Sequence, residues 1–426
     1  MNRDRSESLT LRCRHVLPME GRPLENGWIS IRRGRIVAIG RGRPSGPCAD
    51  LGDAIVLPGL VNAHTHLEFS ACTAPLDPGG GLPAWIERVV QMRRSRATGD
   101  ADAGKEKVVH AIAIGLAESA AAGVTAIGEI ATNAPASAYA SSGPRVRAYR
   151  EGLGLAPSAG SRVASRIEKA IDSGDAGGLH GISPHAPYSV AAPLGRRLID
   201  MARRRAIPMA MHVAESRDEA DLLAAGTGRF RAMLESLGAW PDEPPRFLTA
   251  ADWITLLARS PRSMVVHGTF LPEDPVAMAR LAKHRGRMGV AVCPRTTRSL
   301  SGMLPPVRAF RDAGIRVAIG TDSRASSPDL SVLAECRTLA DAGLASAEET
   351  LHMATRHGAW ATYLEHRSGL LARGRPADLA ILRPATPLPD PFAAALDPAT
   401  QVIATTRSGR WIHGSEIFEP SGTRLT

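Results

Sequence analysis

Pro58-Gly59-Leu60-Val61-Asn62-Ala63-His64-Thr65-His66 is the stretch on which the reading of this chain turns. An apolar run, AIVLPGLVNA from Ala54, ends in a polar tip carrying two imidazoles. Residues i and i+2 of an extended segment point the same way, so both rings can face one point beyond the strand end. A His-x-His pair is a weak signal by itself. Its place at the end of a strand buried on both faces gives it weight.

Seven more apolar runs follow. They are VTAIGEI from Val124, RVRAYREGL from Arg145, GLHGIS from Gly178, IPMAMHV from Ile207, SMVVHG from Ser263, MGVAVC from Met288 and IRVAIGT from Ile315. Helical patterns lie between most of them, among them KEKVVHAIAIGLAESAAAG, LGRRLIDMARRR, PVAMARLAKHRG and LPPVRAFRDAG. Several end in Gly, as a helix C-terminus does. Apolar strands joined by helices make a parallel sheet covered on both faces. Eight such units predict a closed (β/α)8 barrel over residues 58–370. The first 55 residues read instead as short strands and turns, and ADLAILRP from Ala377 and QVIATTRSGRWIHG from Gln401 form a similar patch. Neither patch buries a sheet alone, so residues 1–57 and 371–426 are expected to meet in one small β-sandwich.

Composition narrows the function. The 426 residues are 44% hydrophobic and 22% charged, an ordinary globular balance. Lys+Arg 52 against Asp+Glu 42 gives +10, but the positive charges are scattered, mostly Arg, and carry no recognition motif. With aromatics at 4%, a nucleic-acid stacking platform is excluded as well. No run of 18 apolar residues is present to span a membrane, and the N-terminus lacks the apolar core of a secretory signal. Cys13, Cys48, Cys72, Cys293 and Cys336 are odd in number without a close pair, which argues against a disulfide framework. The expectation is a cytoplasmic protein with a small-molecule substrate, bound to neither nucleic acid nor membrane. Barrels of this kind often dimerise, and a homodimer is compatible with the chain.

Polar residues recur at the C-terminal ends of the strands, the face on which barrel active sites are built. His64 and His66 end the first strand, His185 follows the fourth, His212 and Glu215 end the fifth, His267 the sixth and Asp322 the eighth. The intervals, 27 residues from His185 to His212 and 55 from His212 to His267, fit β/α units and not helical spacing. Imidazole nitrogen and carboxylate oxygen are the donors zinc prefers. His64, His66, His212 and Asp322 are therefore the expected ligands of one divalent ion, zinc or alternatively iron(II). Such an ion lowers the pKa of its water. His267 can hydrogen-bond that water, and Glu215 can shuttle a proton. The fourth-strand region GLHGISPHAPYS has no lysine to carbamylate, which favours one ion over two.

The residues quoted resemble the amidohydrolase superfamily, in particular its chlorohydrolase and aminohydrolase branch, which includes deaminases of guanine, cytosine and S-adenosylhomocysteine. The resemblance runs from Pro58 to the return Gly374-Arg375-Pro376-Ala377-Asp378-Leu379. It implies metal binding by His64, His66, His212 and Asp322, proton transfer by Glu215, activation of water by His267 and substrate contact by His185. The implied reaction is hydrolytic deamination of an amino-substituted purine nucleoside or related heterocycle. The phrases Asn62 to Ser70, Cys293-Pro294-Arg295 and Gly320 to Leu330 look most like aminodeoxyfutalosine deaminases of menaquinone biosynthesis, whose substrate bears a benzoate. Thr296 and Thr297 depart from that pattern, where a Ser/His pair is usual, as does Ser327 in place of Asn.

Four more residues are candidate substrate contacts. Glu68 either accepts from a ribose diol or ring N–H, or pairs with a local Arg. Trp85 either stacks on a base or packs on the barrel top. Arg295 and Arg324 either hold a substrate carboxylate or form ion pairs. The alternatives to deamination are dechlorination of a triazine or opening of a cyclic amide on the same scaffold. From a different class comes a non-catalytic barrel acting as an interaction subunit, which has no physical need for a buried polar cluster.

Overall fold

The computed structural model describes residues 8–96, 101–132, 134–139, 142–173, 179–243, 245–386 and 388–415. Five strands precede the barrel: β1 (Ser8–Val16), β2 (Leu24–Arg32), β3 (Arg35–Arg41), β4 (Ala49–Asp50) and β5 (Ile55–Pro58). The barrel strands are β6 (Leu60–Thr65), β7 (Val124–Ala131), β8 (Arg145–Gly152), β9 (His180–Pro184), β10 (Met209–Val213), β11 (Ser263–His267), β12 (Met288–Val292) and β13 (Arg316–Ile319). The chain returns through β14 (Leu379–Arg383), β15 (Gln401–Arg407) and β16 (Arg410–His413).

Strands β6 to β13 pair in parallel in sequence order, and each of the eight apolar runs supplies one of them. Gly178, where one run begins, lies outside the described residues. A bridge between Thr65 and Asp322 brings the end of β6 to the end of β13. Asn62 fastens the two strands further, donating to Thr321 Oγ1 at 2.8 Å and accepting from the Thr321 N–H at 3.1 Å. Strands β7, β9, β10, β11 and β12 are buried at every position, as a sheet lined on both sides requires. Ala63, Tyr149, Ala210, Met264 and Ala318 pack together in one cluster, while residues alternating with them, such as Ile127, Met209, Val265 and Val317, pack with helical side chains.

The strands of the two chain ends meet in one small domain, as expected. They form one continuous mixed sheet, β16-β15-β14-β5-β1-β2-β3, with β4 added on β1. The joint is β5, parallel to β1 and antiparallel to β14, so hydrogen bonding runs unbroken from one chain end to the other. The sheet curls until the Ala377 N–H reaches the Gly34 carbonyl at 2.9 Å, enclosing Leu11, Ile29, Val56, Leu379 and Ile381.

The run AIVLPGLVNA is likewise two strands. Ile55–Pro58 joins the end sheet and Leu60–Thr65 opens the barrel. Gly59 divides them where the chain passes so close to Thr125 that a Cβ would lie 2.1 Å from its methyl group. Among the described residues, no helix is long and apolar enough to cross a membrane.

Candidate metal centre and active site

The C-terminal ends of β6, β10 and β11, with the first residues beyond β6 and β13, bring four imidazoles and a carboxylate to one point. His64 is completely buried, and its ring centroid lies 5.0 Å from those of His66 and His212 and 5.5 Å from that of His267. Asp322 Oδ1 stands 3.5 Å from His64 Nε2 and 3.6 Å from His66 Nε2. Its other oxygen accepts from the hydroxyl of Ser326, four residues further along the same loop. Two sets of donor atoms, His64/His66/Asp322 and His64/His212/His267, each fit within 4.8 Å.

Neighbouring groups fix these rings. The Thr65 hydroxyl and the His66 N–H both bond the Asp322 carbonyl, which sets β6 against the β13 loop. His212 Nδ1 lies 3.0 Å from the His185 carbonyl, so that nitrogen carries the proton and Nε2 keeps its lone pair. The backbone is left-handed at Ala214 (φ 54°), His267 (φ 64°) and Asp322 (φ 56°), three strand ends at a single site. Non-glycine residues hold such angles at a cost of about 1–3 kcal/mol each, and they gather where chemistry is done.

The donor set fits a divalent ion. Both ring nitrogens of His64, Nδ1 of His66 and Nδ1 of His267 are buried without a hydrogen-bond partner. Burial first of all, joined by the neighbouring rings, holds His66, His212 and His267 well below the ordinary imidazole range. Burial works against charge on Asp322 too, yet the close approach of His64 and the rings of His66 and His267 keep its carboxyl below the usual carboxylate range. Neutral imidazoles grouped about an anionic carboxylate are what a hard-to-borderline cation requires.

Glu215 stands beside this cluster, its Oε1 3.4 Å from His267 Nε2. Burial, then the charges of Asp322 and Glu219, push its carboxyl well above the usual range, so it holds a proton more readily than a solvated carboxylate does. It borders a cavity of about 170 Å³ that Leu82, Phe270, Thr297 and Leu300 also line. Thr297, one of the departures from the aminodeoxyfutalosine pattern, brings an unpartnered buried hydroxyl to that wall.

Residues 55–412 match the sequence model of the amidohydrolase family. The chain belongs to the amidohydrolase family. It is 28% identical over 386 residues to a 5-methylthioadenosine/S-adenosylhomocysteine deaminase from Moorella thermoacetica, an alignment covering 86% of this chain and 83% of that one. The aminofutalosine deaminase of Helicobacter pylori superposes with a TM-score of 0.80 at 22% identity, over 95% of this chain and 100% of the other. An adenosine deaminase from Xanthomonas campestris with bound zinc gives 0.74 at 25% identity, over 95% and 92%.

Within this amidohydrolase site, four expected substrate contacts have other employment. Arg295 donates from Nε to Glu335 at 2.7 Å and from both terminal nitrogens to Asp329, at 3.0 and 2.7 Å, so two carboxylates of the fold already balance its charge. Arg324 is spent on Glu118 and on the Cys72 carbonyl. Glu68 pairs with Arg93, the local arginine of the two readings given for it. Trp85 donates its indole N–H to the Ala325 carbonyl at 3.2 Å and packs among Leu82, Phe69 and Val89. All four share one cause, the structural alternative given for each: the polar group lies within reach of a partner in the fold.

His185 does face the site, its ring 5.1 Å from that of His212, and burial pushes it down to about 3. Three acids passed unnoticed in the sequence. Glu129 ends β7 and accepts from the Leu67 N–H and Tyr139 hydroxyl, while Glu151 ends β8 beside His185. Each is the lone acid of an apolar run, which was the available signal. Glu219 belongs to Ser216-x-x-Glu219, the spacing of a capping box. Ser216 does cap the helix Arg217–Ala225. The Glu219 carboxylate, however, reaches past the cap to the N–H groups of Ala214 (2.9 Å) and Glu215 (3.2 Å), holding the strained peptide that carries Glu215.

Proposed function

We propose that this chain is a metal-dependent deaminase that hydrolyses the exocyclic amine of an adenine nucleoside, releasing ammonia. The observation that carries this reading is Glu215, a buried acid against His267 at the edge of a histidine–aspartate cluster. His64, His66, His212 and Asp322 would hold one divalent ion, and zinc suits their chemistry, as it does the related adenosine deaminase. When bound, the ion supplies Lewis acidity that brings water to a nucleophilic state near neutral pH. Glu215 takes the proton from that water and delivers it to the ring nitrogen beside the attacked carbon. It then carries a second proton to the amine, which leaves as ammonia. His267 orients the water and steadies charge developing on the attacked centre. His185, across the cluster, positions the ring.

The substrate reading moves away from aminodeoxyfutalosine. A benzoate needs a cation, and Arg295 and Arg324 are both committed elsewhere. The names of the curated relatives favour 5′-thio-substituted adenosines, which make no such demand in the methylthio case.

The deciding experiment is ammonia release by zinc-loaded protein from adenosine, 5′-methylthioadenosine, S-adenosylhomocysteine, aminodeoxyfutalosine, guanine and cytosine, with Glu215→Gln as the blank. Release from adenine nucleosides by the wild type alone supports the proposal. Silence across the panel from protein carrying one tightly bound ion removes deamination and leaves chlorinated rings and cyclic amides to try.

A further inference from the structure

We infer that Glu151, seconded by Thr132, sets the electrical character of the substrate: the site admits an uncharged group bearing O–H or N–H donors and turns away a carboxylate or phosphate. The inference rests on the nucleoside deaminase reading and narrows it.

Glu151 ends β8 on the catalytic face and is 2% exposed. Its Oε2 accepts from the Thr132 hydroxyl at 2.6 Å, and although burial pushes its carboxyl up, Arg93, that hydroxyl and Arg166 work in favour of the charged form. Its Oε1 is buried and accepts from nothing. That oxygen lies 3.9 Å from His185 Nε2, and the ligand atoms of Glu151, His185 and His212 all fall within 4.8 Å of one another. The unfilled acceptor therefore borders the reaction centre.

Nearby cations do not fill the vacancy. Arg93 donates from Nη2 to Glu68 and Thr132, and Arg166 donates to the backbone carbonyls of Thr132 (2.7 Å) and Glu151 (3.0 Å). A buried carboxylate oxygen lacking a donor is costly, so a ligand group that donates to it gains the bond and relieves the penalty. A ligand carboxylate or phosphate at the same spot offers only acceptors and sets like charge against like in a water-poor pocket. A ribose hydroxyl on a nucleoside with a neutral 5′-substituent meets the requirement.

The test compares two deaminase substrates of one shape: adenosine carrying a 5′-carboxymethylthio group and its carboxamide. Wild-type kcat/KM is expected to favour the carboxamide by at least about tenfold. Glu151→Gln is expected to shrink that preference to about threefold or less through KM, with bound metal unchanged. Thr132→Val strips Oε2 of its donor, leaves the carboxylate in place, and is expected to keep or widen the preference, which covers the case of a Glu151 variant that does not fold. A wild-type ratio near one overturns the inference. So does an unchanged ratio in Glu151→Gln accompanied only by a lower Tm. Turnover of neither compound by metal-loaded wild type takes down the deaminase reading first, an outcome distinct from equal turnover of both.

Discussion

Two polar regions share the mouth of this barrel, and they are built on opposite terms. On the side of β6, β10, β11 and β13, imidazole nitrogens are buried without partners. On the rim after β12 and β13, Arg295 is matched by Glu335 and Asp329, and Arg324 by Glu118. Open imidazole nitrogens gathered within reach of one carboxylate are donor atoms that a single ligand can complete together. The open region is thus where a ligand belongs, and the closed region holds loops in place. Both looked alike as residue types at strand ends.

Substitutions should separate the two regions by what they damage. The largest effect is expected from Glu215→Gln, a loss of about 10³-fold in kcat with metal content and Tm held; near-wild-type turnover would remove Glu215 as the proton carrier. Asp322→Asn should lose the ion on dialysis and fall to the activity of chelator-treated protein. That protein should stay folded and recover with zinc, as circular dichroism and metal analysis would show. If chelation left activity intact, the open cluster would not be a metal site.

Arg295→Met should reverse the pattern. It strands Glu335, which is completely buried, and should cost about 3–5 kcal/mol in denaturant unfolding while sparing kcat/KM on folded protein. Glu219→Gln lies between the regions. A glutamine can accept from only one of the N–H groups at Ala214 and Glu215, so kcat should fall about tenfold with little change in KM. Loss of Tm alone would make Glu219 merely structural. Smallest is Arg324→Met, a half-buried pair worth about 1 kcal/mol with KM for neutral nucleosides nearly unchanged. A large KM increase confined to carboxylate-bearing substrates would restore Arg324 as a substrate contact.

Much of the barrel was legible in the sequence, because each strand buried on both faces must be apolar along its whole length. Each run therefore announces itself without knowledge of its neighbours. The same locality misled at Gly59, where two strands of different sheets abut in one apolar run. The division is enforced by the side chain of Thr125, far along the chain.

The candidate site residues were legible for a related reason. A strand end on the catalytic face is a fixed place in a barrel, so His64, His66, His212, His267 and Asp322 could be placed by strand order alone. Partnership is another matter. Whether Arg324 meets a substrate or Glu118 depends on a residue 206 positions away. Whether Glu151 is satisfied depends on Thr132, which offers one hydrogen to a carboxylate with two oxygens. Sequence by itself determined which groups stand at the mouth, since the period of burial fixes where each strand ends. Only the tertiary structure decided which of those groups are already answered, because a hydrogen bond is made by proximity in space and not by position in the chain.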